Sequence, residues 1–194
     1  MRLILASASP RRAELLRSAG IAFDVRSVAV DERFLAGETP EQAVARLAEA
    51  KAQACSSHHP GDVILGADTT VVVQGQALGK PVDRADAARM LRLLSGRTHQ
   101  VSTGICLSWQ GRHLAAVEST RVQLAGLSEE EVAWYVSSGE PLDKAGGYAI
   151  QGLASRFIER IEGSYPNVVG LPVARVCALL RELGCDILGN ENAP

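Results

Sequence analysis

The sequence predicts an α/β fold built on a mixed sheet with flanking helices. Three observations carry that expectation. An apolar run at the N terminus, MRLILA, is followed at once by a helix start, SPRRAELL. A second run, DVILGADTTVVVQGQAL, is β-branched and nearly continuous, the pattern of a strand covered on both faces in a parallel sheet. Later, THQVSTGICLSWQGRHLAAVESTRVQL reads as two alternating strands joined near Gln110 and Gly111, a hairpin that brings in antiparallel pairing.

In chain order, MRLILA is short enough for a buried strand. Ser9 is a good N-cap residue and Pro10 suits the first helical position. Leu15, Leu16 and Ala19 extend the helical stripe, and Gly20 stops it. FDVRSVAV is expected as a second strand. The loop ERFLAGETP ends in a capping signature, Thr39 with Pro40, Glu41 and Gln42, and PEQAVARLAEAKAQACSSHH is a long helix. After the β-branched run, RADAARMLRLLSG is amphipathic with Gly96 as its stop. SEEEVAWYVSSG is a capped helix with an acidic first turn. KAGGYAIQGLASRFIERIEG is glycine-rich and then strand-like, LPVARVCALLRELG is the last helix, and CDILGNENAP is expected to be a frayed tail. No repeat, low-complexity run or linker interrupts the chain, so residues 1–194 are expected to form a single domain, with two lobes around a groove.

With 194 residues, 46% of them hydrophobic, the chain has ample length for a real core. A net charge of −2 argues against a general nucleic-acid binder, which needs a basic face. The cysteines, Cys55, Cys106, Cys177 and Cys185, form no C-x-x-C pair and have no histidine at zinc spacing, so they read as reduced thiols. No apolar run reaches the roughly 18 residues of a membrane helix. No signal-peptide pattern opens the chain, and the cytoplasm is the expected compartment.

Five features look chemical. In S-x-S-P-R-R, Ser7 and Ser9 offer hydroxyls and Arg11 and Arg12 offer charge at a helix N terminus. A cation there is unfavourable by roughly 0.3–1 kcal/mol, which makes sense if an anion binds. The plainer alternative is a capped surface helix. Lys51 falls within an apolar helical stripe with Val44, Leu47 and Ala54, either as a functional cation or as a lysine snorkelling from the edge. Asp68, inside ILGADTTVVV, is expensive there without a partner; it could hold a metal ion, activate water, or cap a turn after Gly66. Asp31, Glu32, Lys80 and Glu118 are loop or strand charges, each bland alone. In DKAGGYAIQG, Gly146, Gly147 and Gly152 allow close backbone approach and Gln151 carries both a donor and an acceptor, or the segment is simply a bend. The histidines, His58, His59, His99 and His113, show no ligand spacing. Together these residues suggest a metal-dependent enzyme acting on a phosphate ester or anhydride.

Set in order, LASASPRRAELL, VDE at 30–32, LAEAKA around Lys51, GADT at 66–69, GKP at 79–81, SGRTHQV at 95–101, LDKAGGYAIQG and GSYPNVVGLP at 163–172 resemble the Maf-like nucleotide pyrophosphatases over nearly the whole chain. The resemblance implies an inosine triphosphate pyrophosphatase-like fold with a cleft between two lobes. It implies hydrolysis of nucleoside triphosphates between the α- and β-phosphates with a divalent cation, Mg²⁺ or Mn²⁺. It implies Asp68 as proton acceptor; Arg12, Lys51 and Lys80 on the phosphates with Ser7 and Ser9 near them; Glu32 at the metal with Asp68; and a homodimer. Arg11, Thr69 and Gln151 match the dTTP/UTP branch rather than the 7-methyl-GTP branch, which carries an aromatic residue, Gln and Glu there. The Gln151 amide suits uracil and thymine: its oxygen accepts N3–H and its NH₂ donates to O4. A modified purine nucleotide as substrate, and a non-catalytic regulator of cell division, are the alternatives.

Overall fold

The computed structural model describes residues 2–185, so the tail expected to fray beyond Cys185 lies outside the described residues. Strand β1 (Leu3–Ala6) leads into helix α1 (Pro10–Ser18), β2 (Asp24–Val25), α2 (Pro40–Ser56), β3 (Val63–Val73), β4 (Gln76–Leu78) and α3 (Arg84–Leu94). Then follow β5 (Thr98–Trp109), β6 (Arg112–Leu124), α4 (Glu129–Ser137), three short 3-10 turns over 140–157, β7 (Ile158–Glu162), α5 (Tyr165–Val169) and α6 (Val173–Glu182). The strands pair in the order β2-β1-β3-β5-β6-β7, with β4 on β3. β1 is parallel to both β2 and β3, and the β3–β4 and β6–β7 pairs are antiparallel, so the sheet is mixed.

Local chemistry explains most elements. Thr39 and Ser128 form complete capping boxes with Gln42 and Glu131, as their spacing predicts. Gln110 and Gly111 both take positive φ (49° and 78°), the turn that joins two twisted strands. The same dipeptide at Gln74 and Gly75 (φ 51° and 76°) folds the β-branched run back on itself, so what reads as one strand is two. FDVRSVAV yields only a two-residue strand, because its partner β1 ends at Ala6 and leaves nothing for the rest to pair with. Ser9 occupies the N-cap of α1, but its side chain makes no capping hydrogen bond.

The described residues divide into two compact units, one of residues 2–68, 103–118 and 170–185, the other of 69–102 and 119–169. In the first, neighbouring residues of β1 serve opposite faces. Leu5 packs with Leu16, Ile105, Val176 and Leu180, whereas Ile4 and Ala6 pack with Ala48, Ala52 and Cys55 of α2. A sheet covered on both sides needs apolar strands throughout, which β1 and the first half of β3 supply. In the second unit, Val71, Val73, Leu91, Leu94, Val101, Val122 and Leu124 form the core together with Tyr135 and Phe157, whose rings meet edge to face at 6.0 Å.

Candidate active site

The first unit brings Ser7, Arg12, Glu32, Lys51 and Asp68 together. Two glycines decide where Lys51 goes. A Cβ on Gly66 would lie 2.1 Å from the Ala48 carbonyl oxygen, and one on Gly104 would lie 2.2 Å from that of Val44. Both contacts are to backbone, so α2 rests directly on the strands only because these positions lack side chains. Lys51 follows Ala48 by one turn on the same helix face, and Asp68 follows Gly66 by two residues on the same strand face. Lysine and aspartate therefore meet. Lys51 Nζ donates to Asp68 Oδ1 at 2.6 Å and pairs with Glu32 Oε1 at the same distance. Lys51 is only 7% exposed, so the snorkelling alternative does not hold.

Arg12 lies beside this group and is also buried. Its Nε donates to the Gly170 carbonyl at 2.8 Å, and its Nη1 donates to Ser7 Oγ and the Ala67 carbonyl, both at 2.9 Å. The guanidinium thus ties α1 to the residue before Asp68 and to the turn before α6. Burial pulls its pKa below the usual arginine value, the charge of Asp68 opposes that, and neighbouring Arg11 adds to it. The Ser7 hydroxyl also receives the Ser9 N–H at 3.3 Å.

Glu32 stands on an exposed loop that is tethered to the same helix. Arg46 of α2 donates through Nε to Glu38 Oε1 at 2.7 Å and through Nη2 to the Arg33 carbonyl at 3.1 Å. Hydrogen bonds from Arg46, then from the Leu35 N–H, lower the Glu38 carboxyl to about 2. Arg46, Glu38, Gly66, Gly104 and Gly170 are the contributors that sequence reasoning did not single out. Of these, a lone glycine inside an apolar strand, Gly66, does signal close backbone approach.

The other candidates are divided between the two units. Thr69, Lys80 and Gln151 are in the second unit. Thr69 is half-buried on β3, Lys80 is exposed between β4 and α3, and Gln151 is exposed on a turn. Arg11 is half-buried on α1, and Glu118 is half-buried on β6. Buried His99 bonds the Tyr148 hydroxyl at 2.7 Å through Nε2, and desolvation lowers its pKa from 6.5 to about 4.

Among the described residues no three His, Cys, Asp or Glu side chains converge as a self-contained metal cage. Glu32 and Asp68 nonetheless share one ammonium, which shows that their oxygens can meet at a single cation. Mg²⁺ characteristically takes one or two protein carboxylates and completes its shell with other oxygen ligands, so the pair suits such a cation as a donor set.

The family model for Maf-like proteins matches residues 2–183. The chain belongs to the Maf-like family. A relative from Koribacter versatilis, named dTTP/UTP pyrophosphatase, is 53% identical over 184 residues, 95% of each chain. One of the same name from Anaeromyxobacter dehalogenans is 54% identical over 187 residues, 94% of each. This Maf-like chain also shares its fold with the Staphylococcus aureus Ham1 protein, at a TM-score of 0.53 and 14% identity, over 94% of this chain and 100% of that one.

Proposed function

We propose that this Maf-like protein hydrolyses dTTP and UTP to the monophosphate and pyrophosphate. The observation that carries the reading is a buried lysine holding two carboxylates, beside a buried arginine, in a chain about half identical to proteins named for that activity. Buried charges are costly, and a cluster of both signs suits a charged substrate and a proton transfer.

In this reading Lys51, Arg12 and Lys80 offset triphosphate charge, with Ser7, Ser9 and the N-terminal N–H groups of α1 near the phosphates. Asp68 takes a proton from water as the water oxygen attacks the α-phosphorus. The bond from that phosphorus to the bridging oxygen breaks, and pyrophosphate leaves. Glu32 and Asp68 would hold a divalent cation, which supplies charge neutralisation at the phosphates when bound. Gln151 meets the base, pairing with N3–H and O4 of uracil or thymine, with Arg11 and Thr69 as its partners in selection. The setting in this reading is the cytoplasm and the working form a homodimer; no described helix is long and apolar enough to cross a membrane.

Pyrophosphate release from UTP, dTTP, CTP, GTP and 7-methyl-GTP, with Mg²⁺, Mn²⁺ or EDTA, tests the proposal. Metal-dependent turnover of UTP and dTTP above the rest is expected. Turnover mainly of 7-methyl-GTP or CTP would keep the reaction and overturn the specificity. Binding without turnover would favour a regulator.

A further inference from the structure

The segment that carries Gln151 is rich in glycine, yet its shape is fixed by named contacts. The Gly152 N–H donates to the Ala149 carbonyl at 3.1 Å, so residues 149–152 form a tight turn with Gln151 in its third position. That turn is gripped on both sides. Before it, the Ala149 N–H donates to the Tyr135 hydroxyl at 3.1 Å. After it, the Leu153 N–H donates to Glu140 Oε2 at 3.0 Å. The two grips are one unit, because the Tyr135 hydroxyl donates to Glu140 Oε1 at 2.7 Å.

Both members of the clamp are themselves held. Tyr135 is fully buried on α4 against Phe157. Desolvation, then the bond to Glu140, raises its phenol well above the usual value, so it stays protonated as a donor at neutral pH. The Glu140 carbonyl receives Lys144 Nζ at 2.8 Å, and its N–H donates to Ser138 Oγ at 3.2 Å. Gly152 closes the arrangement: a Cβ there would lie 2.3 Å from Glu140 Oε2, leaving no room beside the carboxylate. Tyr148, Ala149 and Ile150 are buried while Gln151 is exposed, so the backbone is anchored at the point where the amide is presented.

We infer that Tyr135 and Glu140 are positioning residues for base selection, clamping the turn that presents the Gln151 amide. The inference rests on the reading of Gln151 as the group that meets the base. A primary amide pairs with uracil in one orientation and, turned over, with cytosine. Discrimination therefore requires the amide to arrive at one place in one orientation, and a misplacement of about 1 Å can cost on the order of 100-fold. The clamp supplies that placement through the backbone of the turn.

The test uses the full chain and two readouts. Glu140→Ala removes the carboxylate, Gly152→Ala leaves it present but pushes it aside, and Glu140→Gln keeps an acceptor. Leu94→Ala, in the core of the same unit, is the control for lost stability. Hydrogen exchange of the Leu153 amide should quicken about tenfold or more in Glu140→Ala and less in Glu140→Gln. The UTP-over-CTP ratio of kcat/KM should fall about tenfold or more in Glu140→Ala and Gly152→Ala, mainly through a higher KM for UTP, with partial recovery in Glu140→Gln. Leu94→Ala should keep the ratio. Unchanged Leu153 exchange in Glu140→Ala would overturn the clamp. Faster exchange with an unchanged ratio, or an equal fall in Leu94→Ala, would overturn its role in selection. Gln151→Glu in the same assay separates the two ideas: if it leaves the ratio unchanged, the reading of Gln151 fails while the exchange result on the clamp stands.

Discussion

The two units bury polarity in different ways. The first takes two cations inside, Arg12 and Lys51, and satisfies them with carboxylates, carbonyls and a hydroxyl. In the second, the buried polar side chains include those of Thr70, His99, Ser102, Thr120 and Asn167 and the hydroxyls of Tyr135 and Tyr148, and His99 is kept neutral by burial. Its candidate ligand groups, Lys80 and Gln151, are exposed. Neutral interior groups cost less to keep than charges, and an interior charge survives only with partners that fix it. In the proposed reading, the proton transfer belongs to the interior charges of the first unit.

The sharpest way to break this contrast is to remove the interior charge. Lys51→Met should lower kcat for UTP by about 10²–10³-fold, the range for losing a preorganised electrostatic partner. A steady-state assay on the folded variant checks it, and near-normal turnover would make Lys51 merely structural. Gly66→Ala should follow, destabilising by about 3 kcal/mol or more because the added methyl meets the Ala48 backbone. Calorimetry would then show a melting temperature lower by at least roughly 6 °C.

His99 offers a test in the second unit. Its folded pKa of about 4 lies below the unfolded 6.5, so its neutral form favours the fold. That contribution is complete above pH 6.5 and is lost as pH falls through about 4, a change on the order of 3 kcal/mol. Urea unfolding across that window should show the slope, and His99→Gln should flatten it. The smallest effect is expected at the surface: Glu129→Gln, which breaks the exposed pair with Arg92, should move stability by less than about 0.5 kcal/mol.

What could be read in advance was what neighbours in sequence decide. The capping boxes at Thr39 and Ser128 and the turn at Gln110 and Gly111 depend on residues within a few positions. The matching turn at Gln74 and Gly75 was hidden because the returning strand has only three residues, too few to show alternation. Lys51 and Asp68 were each legible as unusual residues and Glu32 only through the family resemblance, but their meeting depends on α2 lying against Gly66 and Gly104, a tertiary fact. Arg12 was legible as a cation at a helix start, not as a clamp on the Ala67 and Gly170 carbonyls. The Tyr135 and Glu140 grip on residues 149–153 spans separations of up to 14 residues and left no periodic trace.

The central claim is that Asp68, held by Lys51, is the group that accepts the proton from water. It is tested most directly by measuring UTP binding and pyrophosphate release side by side in Asp68→Asn. The account predicts that nucleotide still binds while turnover drops by at least about 100-fold. Turnover close to that of the unaltered chain would contradict it.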